Sequence, residues 1–269
     1  MWTLSDVLKN FFTHKDFLPS ADKIPGTLFT PLHLIFALIV AAGVVGLIFL
    51  FRKKSERTIK ILFICIWAAL VVFECTKIIW ETFCGKQTYF FWGGYLPLYP
   101  CSLYMFAMPF AIWGKGKVRY AACGYVCTLG LIGGLINFVY PANVVGTYSC
   151  ISFAGLHTFL YHGMLVFTAF LMLVTGYHSF TKAETVFDLF LPFVPCLLFS
   201  IPVHIANGII GSDYMFFRCN SFFLAPIGAA TPDLVSTFIM YVVYFIAHVI
   251  FYLPSYIKRK VAAKKKTND

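Results

Sequence analysis

Apolar residues in this chain come in long unbroken runs, without the alternation of a half-buried strand or the stripe of an amphipathic surface helix. Seven runs approach the ~20 residues that cross a bilayer as a helix. They cover residues 30–51, 59–80, 96–113, 118–140, 153–176, 186–208 and 234–256. Runs that are apolar all round belong to buried or membrane helices. The third is the shortest and carries three prolines, Pro97, Pro100 and Pro109. Seven spans consume nearly all of the 269 residues and leave no room for a soluble domain. The pattern predicts an all-α fold, a polytopic helical membrane bundle of seven transmembrane helices. It divides the chain into an N-terminal segment (residues 1–28), the transmembrane domain (29–257) and a basic tail (258–269).

Composition agrees: 60% of residues are hydrophobic and 12% charged, against about 25% charged in soluble domains. The net charge of +10 gathers in short loops after the first, third and seventh runs. These are residues 52–57, residues 115–119, and the tail with Lys258, Arg259, Lys260, Lys264, Lys265 and Lys266. With seven spans all three fall on one side, so the positive-inside rule places the N-terminus outside and the C-terminus in the cytoplasm. The expected partners are membrane lipid throughout and anionic headgroups at the tail. A nucleic-acid partner would need a basic patch on a folded surface, and none is expected. Residues 1–26 lack the basic start and short apolar core of a signal peptide. They read either as an amphipathic segment on the outer surface or as a tail.

Ionisable residues inside spans are costly and mark sites. Cys101 follows Pro97 and Pro100, which remove N–H donors and favour a kink, and Ser102 adds a hydroxyl. With the predicted orientation Cys101 lies ~8 Å below the outer boundary, and His157 and His162 roughly 6 and ~14 Å. Glu74, Lys77, His204 and Asn207 fall in the last turns of spans that run outward, Asn137 likewise, and His33 begins the first. Several helices thus deliver polar groups to one layer. Blander roles exist for each. Glu74 and Lys77, at i and i+3, are placed to neutralise one another, asparagines join membrane helices by hydrogen bonds, and a lone cysteine packs as a small apolar residue.

A cysteine beside a histidine is a nucleophile–base pair, the thiolate attacking an acyl carbonyl. Ser102 or Lys77 is placed to polarise the substrate oxygen. No Gly-x-Ser-x-Gly elbow, phosphate loop or zinc-site spacing is present, so neither a metal nor a cofactor is expected. The nine cysteines are odd in number. Cys84, Cys150 and Cys219 fall in outer loops, where any two can pair in an oxidising compartment.

Residues 96–102, Leu-Pro-Leu-Tyr-Pro-Cys-Ser, resemble the Leu-Pro-Leu-His-Leu-Cys-Ser motif of YwaF-type bacterial membrane proteins. Phe159-Leu-Tyr-His-Gly163, Asn207-Gly and Asp213-Tyr-Met-Phe216 resemble their later motifs in order and spacing. That family is distantly related to the transmembrane protein 164 lipid acyltransferases and to membrane fatty-ester hydrolases. The resemblance implies an intramembrane nucleophile at Cys101 with its histidine at His162, acting on acyl esters in a bacterial plasma membrane. His157 has no counterpart. Tyr99 stands where the bacterial proteins have histidine, and Pro100 where they have leucine. Two readings follow. One is a lipid acyltransferase or hydrolase using Cys101 and His162, supported by Ser102, Tyr99, His157, His204, Asn207, Glu74 and Lys77. The other is a transporter or solute-binding protein using the same polar layer.

Overall fold

The computed structural model describes residues 1–86, 96–182, 185–219, 226 and 230–266. These form helices and turns, with no strand among the described residues. In chain order the helices are α1 (Leu4–Lys9), α2 (Pro31–Phe51), α3 (Glu56–Cys84), α4 (Leu103–Trp113), α5 (Gly116–Tyr125), α6 (Leu131–Val139), α7 (Ala142–Val145), α8 (Phe153–Val174), α9 (Val186–Phe190), α10 (Val194–Ile210) and α11 (Asp233–Lys266). Among the described residues six stretches are long and apolar enough to cross a membrane: Pro31–Phe51, Glu56–Cys84, Gly116–Val145, Phe153–Val174, Val186–Ile210 and Asp233–Ala262. Each overlaps one predicted run.

The third run differs from expectation. Only its last 11 residues, α4, are helical, and residues 96–102 form turns. Eleven residues rise ~16 Å, about half of a ~30 Å hydrocarbon core. The cause lies in the sequence. Pro97 and Pro100 supply no N–H, and each pushes the residue before it away from helical geometry.

The chain forms two compact units, Met1–Pro97 with Gly133–Leu171, and Leu98–Ile132 with Met172–Asp269. In the first unit, Thr30 caps α2 by accepting the His33 N–H, with Pro31 at the first helical position. Ser55 caps α3 in the same way. The N-terminal segment is bonded to the ends of α3 and α8. The Trp80 indole donates to the Phe12 carbonyl at 2.8 Å, and the Phe153 N–H to the Phe11 carbonyl at 3.0 Å. Buried His14 lies 2.9 Å from Glu81 Oε2 and 3.1 Å from Asp16 Oδ2. Gly134 on α6 lets α8 approach closely, since a Cβ there would meet Val166 Cγ2 at 2.7 Å and the His162 carbonyl at 3.2 Å.

In the second unit α5 passes through one π-helical turn, Val126–Gly130, before α6 begins. Such turns interrupt the i→i−4 ladder and are frequent at functional sites. Here the Thr128 hydroxyl donates to the Gly124 carbonyl at 2.8 Å and is bonded by His248 Nδ1. Lys258, Arg259 and Lys260 are exposed on α11. The side chains of Lys264, Lys265 and Lys266 lie outside the described residues. All nine cysteines are free thiols. Cys150 and Cys219, two of the three loop cysteines, are fully buried, and burial pushes the Cys150 thiol up to about 11.

Candidate functional site

The first unit gathers four of the expected site residues on α3 and α8. His162 Nδ1 sits 2.7 Å from the Thr158 carbonyl and 3.3 Å from the Thr158 hydroxyl, one turn earlier on α8. A carbonyl only accepts, so Nδ1 carries the proton and Nε2 presents a lone pair. That Nε2 has no hydrogen-bond partner among the described residues, and His162 is only 8% exposed. A neutral imidazole with a fixed tautomer and an open Nε2 is the state a general base requires. His157 Nε2 lies 3.1 Å from the Phe73 carbonyl on α3, to which it donates, and 4.0 Å from Glu74 Oε2. The other Glu74 oxygen pairs with Lys77 Nζ at 2.5 Å. The ring of Tyr161 stacks on His157 at 5.8 Å and meets His162 edge-on at 5.4 Å. Lys77 lies within electrostatic range of both imidazoles. The expected pairing of Glu74 with Lys77 is present, with the Glu74 side chain almost fully covered and that of Lys77 29% exposed.

The second unit holds Cys101, Ser102 and Tyr99 in the turns that lead into α4. The Ser102 and Leu103 N–H groups both donate to the Tyr99 carbonyl, at 2.9 and 3.2 Å, and the Met105 N–H to that of Ser102 at 3.0 Å. These short-range bonds use donors that a helix start otherwise leaves open. The Ser102 hydroxyl is buried and does not cap α4. Tyr125 anchors the turn, its hydroxyl donating to the Pro100 carbonyl. The half-buried Cys101 thiol lies within electrostatic range of the Tyr99, Tyr125 and Tyr244 hydroxyls. The Tyr99 ring packs at 5.3 Å on Tyr214 and at 5.5 Å on Phe216.

Asn207 and His204 have structural partners. Asn207 Oδ1 accepts the Tyr214 N–H at 2.8 Å and the Ser212 hydroxyl at 2.9 Å, while Nδ2 donates to the Tyr214 carbonyl at 3.0 Å. Its amide therefore folds the loop whose Tyr214 supports Tyr99. Gly211 turns that loop out of α10 with φ +73°. Exposed His204 stacks on Phe217 at 4.7 Å and donates through Nε2 to the Tyr241 hydroxyl at 2.9 Å, which donates to Ser200 at 2.7 Å. Asn137, expected to join helices, bonds back to the Gly133 carbonyl of its own helix at 2.9 Å.

Sequence reading missed two supporting residues. Thr158 precedes His162 by four, a spacing that the sequence does show. Tyr125 reaches Pro100 across 25 positions, and nothing local signals it. Among the described residues no group of three or more His, Cys, Asp or Glu side chains is placed to hold a metal ion. No curated protein and no solved structure matches this chain. The family model that matches is that of the group named above as a distant relative of the YwaF-type proteins, and it covers residues 28–258, a range that includes Cys101 and His162. The chain belongs to the TMEM164 family.

Proposed function

We propose that the chain is a membrane-embedded acyl-ester enzyme, a lipid acyltransferase or hydrolase, with Cys101 as nucleophile and His162 as base. The observation that carries this reading is the open, buried Nε2 of His162, its tautomer fixed by Thr158. Family membership supports a lipid as the molecule acted on. In the proposed cycle the Cys101 thiol gives its proton to His162 Nε2, and the thiolate attacks the ester carbonyl. The resulting imidazolium keeps its Nδ1–H on the Thr158 carbonyl and returns the other proton to the departing alkoxide, leaving a thioester on Cys101. A water or an acceptor alcohol then loses its proton to Nε2 and releases the acyl group, restoring the thiol. Ser102 and Lys77 are the proposed donors to the carbonyl oxygen.

Turnover of acyl-lipid by purified protein tests the pair. Cys101→Ser and His162→Asn should each lower it by at least 10²-fold, with the double variant little worse, because such residues act as one unit. His162→Asn keeps a donor for the Thr158 carbonyl while removing the base. An acyl-reactive probe should label Cys101 ahead of the eight other cysteines. Unchanged turnover in either single variant overturns the assignment. A second reading, solute or ion transport, rests on the buried Glu74–Lys77 pair beside His157. It predicts no acyl turnover, and solute binding that disappears in Glu74→Gln.

A further inference from the structure

The first turn of α2 holds another imidazole with an open edge and the opposite polarity. His33 is 1% exposed. Its Nδ1 accepts the Phe29 N–H at 3.1 Å, so Nδ1 carries the lone pair and Nε2 the proton. That Nε2–H has no acceptor among the described residues, and a buried donor without one carries an uncompensated desolvation penalty. Phe29, which fixes the tautomer, has φ 60°. This is a left-handed conformation that is strained for an aromatic residue and typical of ligand clamps.

Position identifies the acceptor. His33 lies at the start of a 21-residue apolar helix. Beside it an exposed aromatic pair, Phe29 and Tyr140, stands with rings 6.0 Å apart, and such rings sit at the headgroup level of a membrane. Of the acceptor oxygens at that level of a bilayer, which are those of phosphate, water and the lipid esters, the ester carbonyls lie deepest, at the start of the apolar core. The His33 ring packs at 5.7 Å on Phe159. Phe159 precedes His162 by three on α8, which puts the two on one face and ~4.5 Å apart along the axis. An open donor and an open acceptor therefore border the same helix face within one unit.

We infer that this face of the first unit binds the glycerol region of an ester-linked glycerolipid, with an ester carbonyl accepting from His33 Nε2–H. The acyl chain continues over half-buried Phe36, whose ring lies 5.1 Å from that of Phe159. Phe29, 59% exposed with its ring 6.3 Å from that of His33, covers the imidazole edge and moves to admit the carbonyl. The inference deepens the lipid reading and rests on it for the class of ligand, but it requires nothing of Cys101.

Competition binding to the full-length protein in detergent tests it, with a fluorescent phospholipid displaced by a diester phospholipid or by its dialkyl ether analogue. The two competitors share headgroup and chain length, and only the first has carbonyls. The wild type should prefer the diester about fivefold, the size of one net hydrogen bond. His33→Asn keeps an acceptor for the Phe29 N–H and loses the ring N–H, so it should lose the preference at unchanged Tm. His33→Gln, which carries an N–H near the Nε2 position, should retain part of it. If His33→Asn does not fold, His33→Phe decides on the same readout. Cys101→Ser should keep the preference whether or not Cys101 is a nucleophile, so failure of binding and failure of catalysis are read separately. Equal affinity of the wild type for ester and ether overturns the inference, as does a folded His33→Asn that still prefers the ester.

Discussion

At the residue scale, the first unit is organised by what each polar side chain does with its last hydrogen bond. His162 spends Nδ1 on Thr158 and keeps Nε2 open, His33 spends Nδ1 on Phe29 and keeps an N–H open, and Glu74 spends itself on Lys77. The residue types were legible in the sequence, because ionisable groups stand out in apolar runs. Their tautomers were not, since these depend on whether a carbonyl or an N–H meets the ring. The Glu74–Lys77 pair leads to a stability prediction. Removing the partner of a buried charge leaves it unpaired and costs about 3–5 kcal/mol for a fully buried pair, less here because the Lys77 side chain is 29% exposed, whereas replacing both by apolar groups is often neutral. Lys77→Met should therefore lower Tm, and Glu74→Leu/Lys77→Met should recover most of the loss. A double variant as unstable as the single would mean that Glu74 is held by groups other than Lys77.

At the scale of elements, hydropathy located the long helices because length and apolarity are properties of each run alone. The π turn at Val126–Gly130 was not legible in the apolar pattern, nor was the contact that Thr128 within it makes with His248, 120 positions away. Nor was the binding of the N-terminal segment, which rests on contacts from Phe12 to Trp80 and from His14 to Glu81. Asp16 makes that segment pH-sensitive. The Lys86 N–H donates to its carboxylate at 2.9 Å and holds its pKa below the usual 3.8. A depressed carboxyl contributes stability that is present above the unfolded value and lost as pH falls through the folded one. Protection factors of residues 1–26, taken against the intrinsic exchange rate at each pH, should thus hold down to about pH 4 and fall below it, and in Asp16→Asn they should be lower at pH 7. The effect is small, a few tenths of a kcal/mol, because Asp16 is partly exposed. Close packing of α6 on α8 gives a larger one. In Gly134→Ala the new Cβ meets Val166 and the His162 carbonyl, so stability should fall by about 1–3 kcal/mol. Turnover should fall with it as His162 shifts, and a Gly134→Ala variant with unchanged Tm would contradict the close approach.

At the scale of the whole molecule, the described residues hold six apolar stretches of spanning length and one short apolar helix, and the short one decides the topology. Charge supplies the argument. If residues 96–113 cross, the basic loops at 52–57 and 115–119 and the basic tail share one side. If they do not, the first loop lies opposite the other two, against the positive-inside rule. The 11 residues of α4 rise ~16 Å, about half of the ~30 Å core, so a crossing here must use the turns of residues 96–102 for the remaining depth. Non-helical backbone at that depth must be covered by protein or line a cavity. The bonds from Ser102 and Leu103 to Tyr99 and from Tyr125 to Pro100 meet part of this requirement. The predicted topology therefore has the N-terminus outside, the C-terminus cytoplasmic, and Cys101 in a membrane-embedded turn. Impermeant maleimide on single-cysteine variants in sealed cells checks it. Cysteines placed in residues 141–152 should label from outside, and those in 52–57, 115–119 and the tail only after permeabilisation. If the N-terminus and the tail label from the same side, residues 96–113 re-enter without crossing, and Cys101 does not lie on a path between the two faces.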